Sequence, residues 1–269
     1  MSIQKTKHYS WSTGTLPTGC ALCVKGEKLV LFITGTCGRR CFYCPVSEAK
    51  FSKDVVYANE WKIQDPLAPL ELIEEAKLSG AKGAGITGGD PLTNVKRCVN
   101  YITLLKTTFG KTFHIHLYTS LQLVTHEILQ QLYDAGLDEI RFHLDLEHHS
   151  EWGKLSLARA FDWKIGVEVP VIPHYKETLF RLVDFICDKV DFLNLNELEQ
   201  SDTETKHYHL HSLGYETKND LSYGVKGSEE LALEILKYAE QKHLSSHYCT
   251  STLKNKVQMT ERYKLRALH

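Results

Sequence analysis

Leu29-Val30-Leu31-Phe32-Ile33-Thr34-Gly35-Thr36-Cys37-Gly38-Arg39-Arg40-Cys41-Phe42-Tyr43-Cys44-Pro45 starts as a short apolar strand and runs directly into a loop carrying three thiols. Outward from it, further β-rich runs occur at 83–87, 113–118, 138–144, 165–169 and 191–195. Helical periodicity fills the intervals at 66–79, 94–108, 125–135, 149–161 and 176–188, with another stretch at 228–243. Punctuation supports these bounds: Pro66 is placed to open the first helix and Gly80 to close it, while Thr125 reads as an N-cap and Gly136 as a stop. Alternating β and α units at this spacing imply parallel strands joined by right-handed crossovers. An open doubly wound sheet and a barrel both satisfy this, and both collect their chemistry at the carboxyl ends of the strands. The thiol loop stands at the first of those ends.

The chain has 269 residues, close to the ~250 of a (β/α) barrel, so one main domain at 29–243 is expected, between an extension at 1–28 and a basic tail at 244–269. Apolar residues make up 42% and charged residues 24%, with 32 Lys and Arg against 33 Asp and Glu. That balance excludes a disordered chain and a polycation that would bind nucleic acid with its whole surface. No run approaches the ~18 apolar residues of a membrane span, and the polar start through Gly14 has no apolar h-region. A cytoplasmic protein without membrane contact is expected. Five of the eight cysteines fall between Cys20 and Cys44, and in a reducing compartment such clustering points to metal ligation or catalysis rather than disulfides.

Cys37, Cys41 and Cys44 offer three thiolates on one loop, which suits an iron–sulfur cluster with one iron left open for another ligand. The alternative on spacing alone is a zinc site completed by one of the 14 histidines. The C-x3-C-x2-C pattern just after a first strand, with aromatic Tyr43 before the last cysteine, resembles the signature of the radical S-adenosylmethionine (radical SAM) superfamily. The layout is similar to an archaeal-type group related to pyruvate formate-lyase activating enzymes. The resemblance implies a partial (β/α)6 TIM-like barrel. It also implies a [4Fe–4S] cluster on the three cysteines, with S-adenosylmethionine chelated to the fourth iron and cleaved after one-electron reduction to a 5′-deoxyadenosyl radical. A one-electron donor of the ferredoxin or flavodoxin type would supply the reduction.

Further cofactor contacts follow from the same resemblance. Gly88-Gly89-Asp90-Pro91, after the second strand, is similar to a Gly-Gly-Glu-Pro motif whose backbone receives the ammonium group of S-adenosylmethionine. Asp in place of Glu reaches one methylene less far. Tyr43, the hydroxyls of Thr119 and Ser120 after the third strand, Asp145 after the fourth and His174 after the fifth are expected beside the cofactor. For lone groups such as Asp145 and His174 the competing reading is a solvated or internally bonded side chain.

Three features lie outside the motif. Cys20 and Cys23 form a C-x2-C knuckle, and with Cys249 they are candidates for an auxiliary iron–sulfur cluster, or alternatively for a zinc knuckle or free thiols. The segment 196–227 is long for a connection and reads as a lid, with His207, His209 and His211 on one face if extended, and Asn194, Asn196 and Glu197 at its root. The tail from Lys254 to Arg266 carries five basic residues and one acidic, which motivates a tRNA or other large substrate. The remaining readings are an enzyme that installs a glycyl radical on a partner protein and a non-catalytic metal or redox module.

Overall fold

The computed structural model describes residues 2–220 and 222–269. Met1, at the head of the polar start, and Leu221, within the 196–227 segment, lie outside the described residues. All six expected strands form: β1 (Lys28–Phe32), β2 (Gly83–Thr87), β3 (His114–Thr119), β4 (Glu139–Phe142), β5 (Lys164–Val171) and β6 (Phe192–Glu197). A seventh, β7 (Ser245–Cys249), pairs in parallel with β6 through Asn194↔His247 and Asn196↔Cys249. These strands lie side by side in chain order, each parallel to the next. β1 and β7 do not pair with each other; Tyr57–Ala58 covers β1 and Trp11–Thr13 covers β7, both antiparallel. The result is a partial TIM-like barrel whose two free edges are protected by short strands instead of by closure.

Helices supply the outer layer. They are α1 (Thr18–Cys23), α2 (Leu70–Leu78), α3 (Val95–Phe109), α4 (His126–Asp134), α5 (Lys176–Ile186), α6 (Ser228–Gln241) and α7 (Met259–Leu268). Apart from α1 and α7 they bury faces at helical spacing, such as Leu179, Leu182, Val183 and Ile186 of α5, against strand residues such as Ile115, Leu117, Ile140 and Val167. Each fully buried Leu, Ile or Val contributes roughly 1.5–3 kcal/mol, so this interface is what holds the helices on the sheet. Thr125 caps α4 by accepting from the Ile128 N–H at 3.2 Å, as expected.

Three expectations change. The first helix begins at Leu70, not at Pro66, because Ala68 precedes Pro69 and is steered out of the helical region. The 149–161 stretch is a run of 3-10 turns at Trp152–Ala160, not an α-helix. Residues 245–249, placed in a tail, are a strand of the barrel; their polar Ser245, Ser246 and His247 hid a segment that only β6 makes regular. Among the described residues, no helix is long and apolar enough to cross a membrane.

Candidate active site in the barrel interior

Strand residues alternate between the two faces of a sheet, so every second position points inward. Here the inward positions are polar: His114, His116 and Tyr118 on β3, Glu139 and Arg141 on β4, Glu168 on β5, Asn194 and Asn196 on β6, and His247 and Cys249 on β7. A cavity of about 520 Å³ runs from this interior to the thiol loop, lined by Cys37, Cys41 and Cys44 at one end and Arg141, Glu168 and Asn194 at the other. Its middle is walled by Thr87, Gly88, Gly89, Asp90, Thr119 and Ser120.

Neighbouring strand ends hold the thiol loop. Arg39 pairs with Asp145 at 3.1 Å and donates to the His143 carbonyl at 3.1 Å. The Tyr43 hydroxyl meets His143 Nε2 at 2.9 Å, and His143 Nδ1 meets the Glu168 carbonyl at 3.0 Å. Because that carbonyl can only accept, Nδ1 carries the proton and Nε2 accepts from Tyr43. Burial, aided by Arg39, lowers the His143 pKa to about 4, so the ring is neutral near pH 7. The Cys37, Cys41 and Cys44 thiols are free and half-buried, and burial pushes all three pKa values up, Cys44 to about 11. Metal-free, they stay protonated at neutral pH, which suits ligands that ionise on binding metal rather than nucleophiles.

The 88–91 turn is packed so closely that side chains have no room. A Cβ on Gly88 would lie 2.3 Å from the Thr34 carbonyl oxygen, and one on Gly89 would lie 2.3 Å from that of Thr36. Gly88 also has φ +154°. Asp90 is buried and points away from the turn. Its carboxylate accepts from Thr119 Oγ1 at 2.6 Å, Ser120 Oγ at 2.6 Å, Ser120 N at 3.2 Å and Leu92 N at 3.1 Å. Thr119 and Ser120 thus line the cavity as braces that tie the end of β3 to the end of β2.

Deeper in, Arg141 joins both walls: Nε donates to Glu139 Oε1 at 2.6 Å and Nη1 to Glu168 Oε2 at 2.9 Å. Burial alone would raise the Glu168 pKa, but Arg141 and the amides of Asn194 and Asn196 outweigh it and hold the carboxyl at about 2. Residues of the segment following β6 are tied to the thiol loop. Thr203 Oγ1 donates to the Val46 carbonyl at 3.0 Å, and the His209 N–H to the Phe42 carbonyl at 2.8 Å. His207 stacks on Phe51 with ring centroids 4.0 Å apart. Residues 206–213 form turns, not a strand, so His207, His209 and His211 share no face.

The structure therefore gathers Cys37, Cys41, Cys44, Tyr43, Gly88, Gly89, Asp90, Thr119 and Ser120 at one cavity, and Cys20, Cys23 and Cys249 line it too. Pro91 stands just behind the turn as the first residue of a 3-10 segment. Asp145 acts on the thiol loop through Arg39, and His174 lies away from the cavity, bonded to the Tyr215 hydroxyl at 2.9 Å. Lys28, Tyr118, Arg141, Glu168 and His247 were not singled out from the sequence. Their signal was present: polar residues at every second position of buried parallel strands, where apolar runs are the rule.

The donor set fits the cofactors that the thiol pattern implies. Three thiols from one loop face a cavity with the 88–91 turn beside them.

Comparison with known proteins agrees. The sequence profile described as the Radical SAM superfamily matches residues 31–162. A protein of Methanocaldococcus jannaschii, provisionally assigned as a glycyl-radical enzyme activating enzyme, is 43% identical over 99% of this chain and 72% of its own length. A molybdenum cofactor biosynthesis protein of Caenorhabditis elegans is 28% identical over 79% of this chain, which spans only 34% of that protein. Among solved structures, methylornithine synthase superposes with a TM-score of 0.53 at 13% identity, covering 89% of this chain and 69% of that one, a likeness of fold alone. The chain belongs to the radical SAM superfamily, as an enzyme related to pyruvate formate-lyase activating enzymes that uses a [4Fe–4S] cluster and S-adenosylmethionine.

Proposed function

We propose that Cys37, Cys41 and Cys44 hold the [4Fe–4S] cluster, that the 88–91 turn receives S-adenosylmethionine, and that the hydrogen abstracted belongs to a glycine of a partner protein. When bound, the reduced cluster and S-adenosylmethionine supply one-electron cleavage of a sulfonium bond and with it a carbon-centred hydrogen-atom acceptor. The chain's own residues prepare the place. Arg39, Asp145, Tyr43 and His143 fix the thiol loop on the end of β4, and Asp90 with Thr119 and Ser120 fixes the turn on the end of β3. The segment carrying Thr203 and His209 braces the thiol loop from its outer side through the Val46 and Phe42 carbonyls. A ferredoxin- or flavodoxin-type donor would reduce the cluster through the thiol loop.

The observation that carries the choice of substrate is the charge at the mouth. A second cavity of about 520 Å³ adjoins the first and shares Tyr43, Pro45, His143, Asn196 and Lys254 with it. Its remaining wall includes Asp202 beside two acids that are already paired, Glu199 with Lys254 and Glu197 with Lys218, so the lining carries no excess positive charge to hold a phosphate backbone. Four of the five cations in the tail that motivated a tRNA substrate have carboxylate partners. Lys254 pairs with Glu199, Arg262 with Glu60, Lys264 with Glu261 and Arg266 with Glu75. The relative from Methanocaldococcus jannaschii, assigned as an activating enzyme, supports the same reading.

Isotope transfer tests it. With protein and RNA fractions from cells fed α-deuterated glycine, deuterium should appear in 5′-deoxyadenosine only with the protein fraction, and protease should abolish it. Deuterium-free product with that fraction, or transfer that survives protease and is lost to ribonuclease, would sink the proposal.

The turn gives a further prediction. In Gly89→Ala the new methyl meets the Thr36 carbonyl oxygen and carbon and the Gly35 oxygen, all backbone, so the base of the thiol loop must shift. A displacement of about 1 Å can cost on the order of 100-fold in rate. Initial rates of 5′-deoxyadenosine formation should fall by about that factor while iron content stays near the wild-type value.

A further inference from the structure

Three more thiols meet at the open side of the barrel. α1 packs inside it: a Cβ on Gly19 would lie 2.6 Å from the His116 ring and 2.7 Å from Arg141 Nη2, and one on Gly83 would lie 2.6 Å from Leu22. That entry angle buries Cys20 and Cys23. Cys249 closes β7 opposite Asn196. Because β1 and β7 do not pair, a seam runs between them, and the end of α1 and the residues after β7 meet beside it. Cys23, Val24 and Leu253 pack together there, with Cys249 against them. All three thiols are free and line the cavity that also holds Cys37, Cys41 and Cys44.

The charges around these thiols are those an anionic group needs. Burial raises the Cys23 and Cys249 thiols and only Cys20 is lowered, but each has a cation in reach that opposes burial: Arg141 for Cys20, Lys28 for Cys23 and Lys254 for Cys249. Arg141 and Lys254 also have carboxylate partners. Lys28 has no ion-pair partner among the described residues, although it is desolvated at the start of β1. The Cys20 sulfur accepts from Asn194 Nδ2 at 3.2 Å and Arg141 Nη1 at 3.5 Å, the environment of a thiolate. Apolar burial of three idle thiols would not call for these donors.

The donors narrow the choice of metal: three thiols beside an open cavity suit a cubane that keeps one iron free. Among the described residues the one group with single-ion spacing is His114, His116 and Glu139, and its carboxylate is already paired with Arg141. We propose that Cys20, Cys23 and Cys249 ligate a second [4Fe–4S] cluster, separate from that of Cys37, Cys41 and Cys44, which staples the barrel seam and leaves one iron without a protein thiolate, facing the shared cavity. The site is independent of the choice of substrate above.

Iron and acid-labile sulfide per chain, measured on the anaerobically reconstituted full-length protein, test it. Each cubane accounts for about four irons, so wild type should hold about eight. Cys37→Ala/Cys41→Ala/Cys44→Ala and Cys20→Ala/Cys23→Ala/Cys249→Ala should each keep about half, with different electron paramagnetic resonance spectra after reduction. A wild-type value of about four irons, all lost in the first variant, overturns the second cluster and leaves the first intact. About one zinc per chain, lost only in the second variant, overturns it as well. The wild-type count does not depend on either variant folding, and Cys187→Ala, at the exposed end of α5, should keep every iron.

Discussion

Cys41→Ala should form no 5′-deoxyadenosine above background while remaining folded. Cys41 lies between Cys37 and Cys44 on the loop after β1, so its loss leaves two thiolates to hold a cluster that has no other protein ligand there. The loop is kept in place by Arg39 on Asp145, Tyr43 on His143 and the overlying Thr203, and the Cys41 sulfur adds only a hydrogen bond with Tyr43 and the nearby Arg39 charge. Removing a half-buried sulfur from such a loop should therefore change stability by less than about 1 kcal/mol. The expected pair of readings is an unchanged thermal midpoint and a loss of about four irons per chain. Product formation that survives in Cys41→Ala would mean that the reacting cluster sits elsewhere.

Arg141→Met should cause the largest loss of stability. Arg141 is 2% exposed and lies between Glu139, 1% exposed, and Glu168. Methionine fills similar space but leaves two carboxylates inside the barrel without their cation, and breaking a buried pair from one side costs about 3–5 kcal/mol. For a chain of this length that is on the order of 10 °C in thermal midpoint. The pH dependence has a definite sign. Glu168 is held at about 2 in the folded protein against an ordinary 4.5, so its contribution is complete above about 4.5 and is lost as pH falls from there toward 2. The gap between wild type and variant should therefore narrow as pH falls toward 2, because protonation relieves the carboxylate that the variant leaves without its cation. A gap under about 1 kcal/mol at pH 7, by denaturant titration, would mean that water already solvates the barrel interior.

Much of this molecule is readable along the chain because the deciding signals are local. Six strands show as short β-rich runs, the thiol loop follows the first of them within four residues of Ile33, and the Gly88-Gly89-Asp90-Pro91 turn follows the second. Helix stops at Gly80 and Gly136 are legible because both glycines take positive φ, of 60° and 100°. These features depend on backbone sterics and neighbours a few residues away, which the sequence states directly.

What tertiary structure decided are the relations between distant residues. β7 becomes a strand only because β6 offers it a ladder, so Ser245 to Cys249, polar and short, carry no local sign of it. Asp90 turns its carboxylate to Thr119 and Ser120, about thirty residues away, and becomes a brace where the sequence offered it as a cofactor contact. Three of the five cations in the basic tail pair with Glu60, Glu75 and Glu199, which no composition count could match to it. Cys20, Cys23 and Cys249 face one cavity because the barrel leaves β1 and β7 unpaired and the end of α1 meets the residues after β7 beside that seam. By itself the sequence determined the alternating strand and helix order, the three-thiol loop and the glycine turn, since short-range sterics and hydrophobic period set them. Which polar groups meet inside the barrel, and which charges cancel, was set by the curvature of seven parallel strands that brings their inward faces together.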